Sequence, residues 1–175
     1  AAHDAVMTGV ATLLADDAEL TARPGGRRAE RQPLRAVMDT RLRTPVEGQF
    51  LTAGPALIIH GPGCDTRRHE AAGARCREVH LNYGGRADLT EALKVLAREG
   101  ARTVMIEAGG QLAGAMIEAG LVDRIEWFRA PKVLGGDGRP CVAALGLERL
   151  EDAPIFSRVG VREAGPDLWE TYERL

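Results

Sequence analysis

The chain has 175 residues, of which 45% are hydrophobic and 27% charged, and its formal net charge is −2. This composition is typical of one globular domain and excludes disordered, collagen-like and disulfide-rich chains. No apolar run approaches the roughly 18 residues of a membrane span, and the first ten residues lack the pattern of a secretory signal. We therefore expect a cytoplasmic protein that binds no membrane.

The charged residues and cysteines give no sign of nucleic-acid or metal binding. The 23 basic residues are dispersed among 25 acidic ones, and aromatic residues make up only 4% of the chain. Nucleic-acid binding proteins usually collect basic residues on one face and offer aromatic platforms to bases. The three cysteines, Cys64, Cys76 and Cys141, show no zinc spacing with one another or with the four histidines. We predict free thiols, no metal and no nucleic-acid partner.

Strand-like and helical segments alternate over the first two thirds of the chain. The predicted strands are 4–8, 34–38, 56–59, 78–81 and 103–106, and the predicted helices are 9–15, 89–97 and 111–119. Gly100 and Gly120 end the last two helices, as C-terminal glycines commonly do. Strands 56–59 and 103–106 are apolar enough to be buried on both faces.

The last third of the chain follows a different pattern. Residues 124–129 predict a strand, 135–140 a turn, and 157–163 with 168–172 two strands joined as a hairpin. Strand–helix alternation followed by an antiparallel tail indicates an α/β domain with one mixed, mostly parallel sheet.

The segment from Thr103 to Gly114, T-V-M-I-E-A-G-G-Q-L-A-G, is the most informative in chemical terms. A buried strand ends in Glu107, passes through Gly109 and Gly110, and opens a helix. Glycines there allow backbone N–H groups to approach a phosphate, and the helix N-terminus adds partial positive charge. The alternative is a tight turn that needs glycine only for packing. Glu107 would either bind donors of a ligand, such as a sugar hydroxyl or a pyrimidine N–H, or cap the helix.

Two further segments carry polar residues after predicted strands. Thr12 and Asp16 lie four residues apart on one helix face, where they could meet a ligand or form a solvated helix end. Thr40, Arg41 and Arg43 follow the strand 34–38 and could bind the 2′-phosphate of a dinucleotide, although on these residues alone a polar loop in an arginine-rich chain is the better explanation.

Five motifs in order resemble one known family. They are D-A-V-M-T-G-V-A-T-L-L-A-D-D-A-E-L-T-A-R (4–23), P-L-R-A-V-M-D-T-R-L-R (33–43), V-M-I-E-A-G-G-Q-L-A-G-A-M-I-E-A-G-L-V-D (104–123), A-P-K-V-L-G-G-D-G-R-P (130–140) and L-E-R-L-E-D-A-P (147–154). Together they resemble the C-terminal reductase domain of the bifunctional riboflavin-biosynthesis deaminase/reductase, a three-layer, dihydrofolate-reductase-like domain. Any one of these motifs alone would be weak.

This resemblance implies an NADPH-dependent enzyme that reduces the ribosyl group of 5-amino-6-(5-phosphoribosylamino)uracil to ribityl. It implies substrate contacts at Leu20, Arg23 and Glu107, with Arg23 a partner for the substrate phosphate. The implied cofactor contacts are Thr12, Asp16, Thr40, Gly109, Gly110, Gln111, Leu112, Ala113, Gly114 and Ala115. Family members often have Ser at position 40, and Thr40 keeps the hydroxyl.

The resemblance also bears on domain organisation and assembly. Residues 1–175 are interpreted as a single reductase domain that lacks the first strand and helix of the family, and the motifs of the zinc deaminase domain are absent from the sequence. Family members are commonly homodimers, and residues 124–140 are a candidate interface.

The matched motifs contain no histidine or tyrosine, so no general acid is obvious. Asp16 and Glu107 are the candidates to orient the substrate or relay a proton through water. Two other functions stay open at this stage: a reductase of the same fold that acts on a pteridine or a diaminopyrimidine, and a nucleotide-binding remnant without catalysis.

Overall fold

A computed structural model describes residues 2–175 of the chain. The contacts between residues divide it into two compact units, residues 1–112 and 113–175. Within residues 2–175, no helix combines the length and the apolar character that crossing a membrane requires.

The first unit is built on a five-stranded parallel sheet. Its strands are β1 (Ala5–Gly9), β2 (Leu34–Met38), β3 (Ala56–His60), β4 (Ala74–Glu78) and β5 (Val104–Ile106), in the order β4-β3-β2-β1-β5. The helices are α1 (Val10–Asp16), α2 (Gln49–Thr52), α3 (Arg67–Ala71) and α4 (Leu89–Arg98), and the first three residues of α5 (Gly110–Glu118) also belong to this unit. The chain adds β2, β3 and β4 on one side of β1 and then returns to its other side for β5.

Helices cover both faces of this sheet. Met7 and Leu57 pack with Leu96 of α4 on one face, whereas Val37 and Ile58 belong to the cluster of α1 and α2 on the other. Successive residues of a strand point to opposite faces, so the apolar strands supply two cores at once. The predicted three-layer α/β class is confirmed.

Arg35 of β2 fastens the α2 face of the sheet. Its buried guanidinium donates to the carbonyl oxygens of Glu19, Phe50, Gly54 and Pro55. Burial lowers the pKa of Arg35 from its ordinary value. A charge so far from water needs this many acceptors, because an unpaired buried cation would be strongly destabilising.

One predicted strand differs from the structure, and two short helices were not predicted. A strand was predicted at 78–81, but the strand in the structure, β4, covers Ala74–Glu78 and so overlaps the prediction only at Glu78. Leu81 forms only an isolated bridge with Ala87. The actual strand, A-R-C-R-E, alternates polar and apolar residues and so lacks the continuous apolar run that marks its neighbours. The short helices α2 and α3, of four and five residues, were not predicted.

The prediction that strand 103–106 is buried on both faces is also wrong. Met105 is 40% exposed, and its neighbours in β5 are half-buried. The cause is the strand's place in the sheet, because β5 pairs with β1 alone and forms an edge among the described strands.

The second unit contains an antiparallel sheet with the order β6-β8-β7, made of β6 (Arg124–Arg129), β7 (Phe156–Ala164) and β8 (Asp167–Arg174). The predicted C-terminal hairpin, β7–β8, is confirmed. These three strands form a sheet of their own rather than joining one mixed sheet with the parallel strands, because their backbone hydrogen bonds run only among themselves.

Candidate cofactor-binding edge of the parallel sheet

The carboxyl ends of β1, β2 and β5 define the candidate site. β1 lies between β2 and β5, so the segments that follow these three strands are neighbours. The connection order changes direction between β1 and β5, and parallel α/β sheets bind ligands beyond the carboxyl ends of their strands at such a point. Thr12 and Asp16 follow β1, Thr40 follows β2, and Glu107 to Leu112 follow β5. The topology thus brings these predicted residues to one edge of the sheet.

The turn between β5 and α5 favours the ligand interpretation of its glycines. The Glu107 N–H donates to the Met7 carbonyl at 2.9 Å and so extends the pairing of β1 with β5. A Cβ added at Gly109 would meet no atom within 4 Å, and Gly109 does not have a left-handed backbone. Neither packing nor conformation therefore requires glycine at position 109. The backbone at this position is thus open to an approaching group.

The remaining residues of the predicted cofactor turn lie on α5. A Cβ at Gly114 would come within 3.3 Å of the carbonyl oxygen of Ala143 in the second unit, so close packing explains this glycine. Ala113 and Ala115 are half-buried. Gln111 is exposed, whereas Gly110 and Leu112 are half-buried.

Glu107 offers a free carboxylate at the sheet edge. Its side chain is exposed and makes no hydrogen bond or ion pair with any of residues 2–175. The alternative interpretation, a cap on the following helix, is therefore not observed. All acceptor positions of the carboxylate are available to the donors of a ligand.

The two acids at the end of α1 differ in role. Asp17, in a left-handed conformation with φ 45°, accepts the Gln49 backbone N–H at 2.8 Å and the Gln49 side-chain amide at 3.2 Å. Asp17 thus supports the start of α2, a role that the sequence analysis missed. The side chains of Thr12, half-buried, and Asp16, exposed, have no hydrogen-bond partner in the described part of the chain.

Thr40 is fixed by its neighbours yet keeps one free donor. Its hydroxyl oxygen accepts the Ala87 N–H at 3.0 Å, and its carbonyl accepts the Gly61 N–H at 3.1 Å. A Cβ at Gly61 would come within 2.9 Å of that carbonyl oxygen, so this close approach requires glycine. The hydroxyl proton of Thr40 remains available to an acceptor on a ligand.

Leu20 and Arg23 lie in the segment after α1. Leu20 has φ 56° and packs against the core on the α2 face. Arg23 forms an ion pair with Glu19, and its Nε donates to the Thr21 hydroxyl at 3.0 Å. Across residues 2–175, no hydrogen bond or ion pair joins Arg23 to Thr40 or Glu107. Sequence analysis missed Glu19, although its spacing of four residues from Arg23 is a signal for an ion pair.

The cysteines are unpaired, and the potential metal ligands are dispersed among the residues described. Cys64, Cys76 and Cys141 are free thiols, and burial raises the pKa of Cys76 to about 11. In the part of the chain that the structure describes, no three His, Cys, Asp or Glu side chains are grouped to hold a metal ion.

Comparison with known proteins identifies the family. The model of the RibD C-terminal domain matches residues 1–168. The riboflavin biosynthesis protein RibD of Escherichia coli is 34% identical over 175 residues, which cover 94% of this chain and 47% of that protein. The 2,5-diamino-6-ribosylamino-4(3H)-pyrimidinone 5′-phosphate reductase of Methanothermobacter thermautotrophicus is 34% identical over 171 residues, 97% of this chain and 79% of that protein.

Solved structures agree with these sequence relationships. RibD of Acinetobacter baumannii (form 1) superposes with a TM-score of 0.84 at 25% identity, over 99% of this chain and 47% of that one. The chain thus spans about half the length of the RibD proteins that it matches. It belongs to the family defined by the RibD C-terminal domain.

Proposed function

We propose that this chain uses NADPH to reduce the ribosyl group of 5-amino-6-(5-phosphoribosylamino)uracil to a ribityl group, a step of riboflavin biosynthesis. The observation that carries the proposal is the open Gly109 turn at the switch point of the sheet, in a chain of the RibD C-terminal domain family. Relatives named as reductases of a ribosylaminopyrimidinone 5′-phosphate support the substrate class.

The donors at the sheet edge suit a dinucleotide cofactor. Thr12 and Thr40 offer hydroxyl groups, Asp16 an exposed carboxylate for ribose hydroxyls, and the start of α5 backbone N–H groups for a pyrophosphate. We assign cofactor binding to these residues and to the turn from Gly109 to Ala115. When bound, NADPH supplies a hydride from its nicotinamide ring.

Glu107, Arg23 and Leu20 are the proposed substrate-binding residues. The free carboxylate of Glu107 can accept hydrogen bonds from a sugar hydroxyl or a pyrimidine N–H and so orient the acceptor carbon. Arg23 would pair with the substrate phosphate and would share or exchange its present partner, Glu19.

The reaction also requires a proton, because converting ribosyl to ribityl adds a hydride and a proton. Asp16 and Glu107, two of the residues after β1 and β5, are carboxylates that have no partner among the residues described. Either could hold a water that delivers the proton as the hydride arrives. Asp16→Asn with unchanged kcat and KM would exclude that role for Asp16.

A second candidate substrate is the diaminopyrimidine that has not been deaminated. The relative from Methanothermobacter thermautotrophicus is named for the diamino compound, and this chain spans 79% of its length. This chain spans only about half the length of the relatives named RibD. The shorter relatives therefore favour the diamino substrate as the alternative.

The test is an assay of NADPH oxidation, monitored through the loss of absorbance of the reduced nicotinamide, with each pyrimidine in turn as substrate. NADH in place of NADPH is the control for the cofactor. We expect turnover of the deaminated compound with NADPH. Turnover of the diamino compound alone would establish the second candidate. A melting shift on adding NADPH without turnover of either compound would indicate a nucleotide-binding remnant, and no shift with no turnover would refute both functions.

Two arginine variants test whether Arg23 binds the phosphate of a ribosyl phosphate substrate. Arg23→Ala should raise KM for the ribosyl phosphate roughly tenfold or more, because a charge-assisted contact to the phosphate is lost. Arg27→Ala, which removes an exposed arginine of the same loop, is the matched control and should leave KM unchanged. Equal KM values for wild type and Arg23→Ala would exclude Arg23 as the phosphate ligand.

A further inference from the structure

Asp39, the first residue after β2, is a fully buried carboxylate with only one oxygen hydrogen-bonded. Its Oδ2 accepts the Thr44 backbone N–H at 2.6 Å and the Thr44 hydroxyl at 2.8 Å. Its Oδ1 is buried and has no hydrogen-bond partner in the described part of the chain. A buried carboxylate oxygen without a hydrogen-bond donor destabilises the folded state. The hydrogen bonds to Thr44 explain only the other oxygen, so the position of Oδ1 needs a separate explanation.

Arg43, four residues further along the chain, is the charged group that faces Oδ1 of Asp39. Arg43 Nε lies 4.0 Å from Asp39 Oδ1, and the Arg43 side chain is 56% exposed while that of Asp39 is fully buried. A guanidinium presents its donors along more than one edge of a rigid plane. With its Nε edge towards Asp39, Arg43 has terminal N–H groups left to offer to a ligand.

The loop that carries Arg43 is held from both ends. The Leu42 N–H donates to the Asp39 carbonyl at 3.0 Å, and Leu42 keeps a left-handed φ of 52° that is unfavourable for a leucine. At the other end, the Thr44 carbonyl accepts the Nε2 proton of buried His69, on α3, at 2.9 Å. Such a conformation persists only where the surrounding structure fixes it. Hydrogen bonds to Asp39 and His69 thus hold the two ends of the loop.

We infer that Asp39 is a positioning residue that directs Arg43, together with the free hydroxyl proton of Thr40, towards the 2′-phosphate of the dinucleotide. This inference rests on the proposed function and deepens it, because it names the residues that select NADPH over NADH. A phosphate monoester carries nearly two negative charges and three acceptor oxygens, which suit a guanidinium and a hydroxyl. The buried Asp39 carboxylate aligns Arg43 without itself facing the phosphate.

The test is the ratio of Kd values for NADPH and NADH, measured by titration calorimetry, which does not depend on turnover. Arg43→Gln should weaken NADPH binding about 10- to 100-fold and leave NADH binding within about twofold, since only NADPH carries the 2′-phosphate. Asp39→Asn should change the ratio in the same direction by a smaller factor. In the double variant Asp39→Asn should add nothing to the ratio, because it acts through Arg43. A purely structural role of Asp39 would instead weaken both dinucleotides equally.

Arg68→Gln, which removes an exposed positive charge of α3 paired with Glu47, is the matched control and should leave the ratio unchanged. An unchanged ratio of Kd values in Arg43→Gln would overturn the inference. So would a loss of the preference for NADPH in Arg41→Gln instead of Arg43→Gln. Additive effects of Asp39→Asn and Arg43→Gln on the ratio would also overturn it. Equal binding of both dinucleotides by the wild type would overturn this inference alone. Binding of neither would refute the proposed function as well.

Discussion

Glycines that look alike in the sequence have different reasons to be glycine in the structure. Gly100 ends α4 with a left-handed φ of 94°, and Gly114 lies against the backbone of Ala143. Gly109 has neither constraint, since its backbone is not left-handed and the space beside it is open. For Gly109 we propose that the approach of a ligand is the reason.

This difference leads to a paired prediction. Gly109→Ala should leave the melting temperature unchanged but raise the Kd for NADPH. The rise should be about tenfold if the added methyl group blocks one backbone hydrogen bond to a phosphate. Gly100→Ala should do the reverse, lowering stability by about 1 kcal/mol through its strained backbone while the Kd stays the same. Thermal unfolding with and without NADPH measures both quantities. Wild-type affinity in Gly109→Ala would exclude the turn as a phosphate site.

At the scale of elements, Asp4 ties the start of β1 to the start of β5. Its Oδ2 accepts the backbone N–H groups of Arg102 at 3.0 Å and Thr103 at 3.1 Å, and the Thr103 hydroxyl at 3.1 Å. The hydrogen bond from the Arg102 N–H, followed by those from Thr103, holds the pKa of Asp4 below its ordinary value of 3.8. These contacts help to place β5, which pairs with no strand other than β1 in the described residues.

Asp4→Asn should therefore destabilise the protein in a pH-dependent way. A lowered folded-state pKa contributes stability that is fully present above the unfolded value of 3.8 and is lost as the pH falls through the lower folded value. The variant should melt a few degrees below wild type at neutral pH, and the gap should narrow below pH 3.8. Glu30→Gln, at an exposed position outside the predicted interface, is the control. A gap that stays constant with pH would show that the charge of Asp4 is not the cause.

At the scale of the whole molecule, we predict a homodimer formed through residues 124–140. Phe128, Val133 and Leu134 in this segment are 60%, 98% and 73% exposed, which is unusual for such large apolar side chains. Leu134→Asp should shift the mass measured by light scattering from dimer to monomer, whereas Leu150→Asp, 86% exposed but outside the segment, should not. A monomeric wild type at micromolar concentration would contradict the prediction.

The sequence by itself determined the elements whose signals are local. Strand 34–38, the apolar strand 56–59 and helix 89–97 follow from hydrophobic periodicity and terminal glycine, and both units contain elements predicted in this way. The motif V-M-I-E-A-G-G likewise predicted a strand, a glycine turn and a helix, which the structure contains. These patterns depend on neighbours within a few residues, so no knowledge of the fold was needed.

The tertiary structure alone decided which residues have partners. The edge position of β5, the support that Asp17 gives to Gln49, and the carbonyl ligands of Arg35 join segments that are many residues apart. The unpartnered Oδ1 of Asp39 likewise depends on how the chain folds around it. Periodicity encodes which face of an element is buried, but hydrogen bonds depend on which segments meet. That is why the sequence predicted the strands and the family, while the free carboxylate of Glu107 and the alignment of Arg43 required the fold.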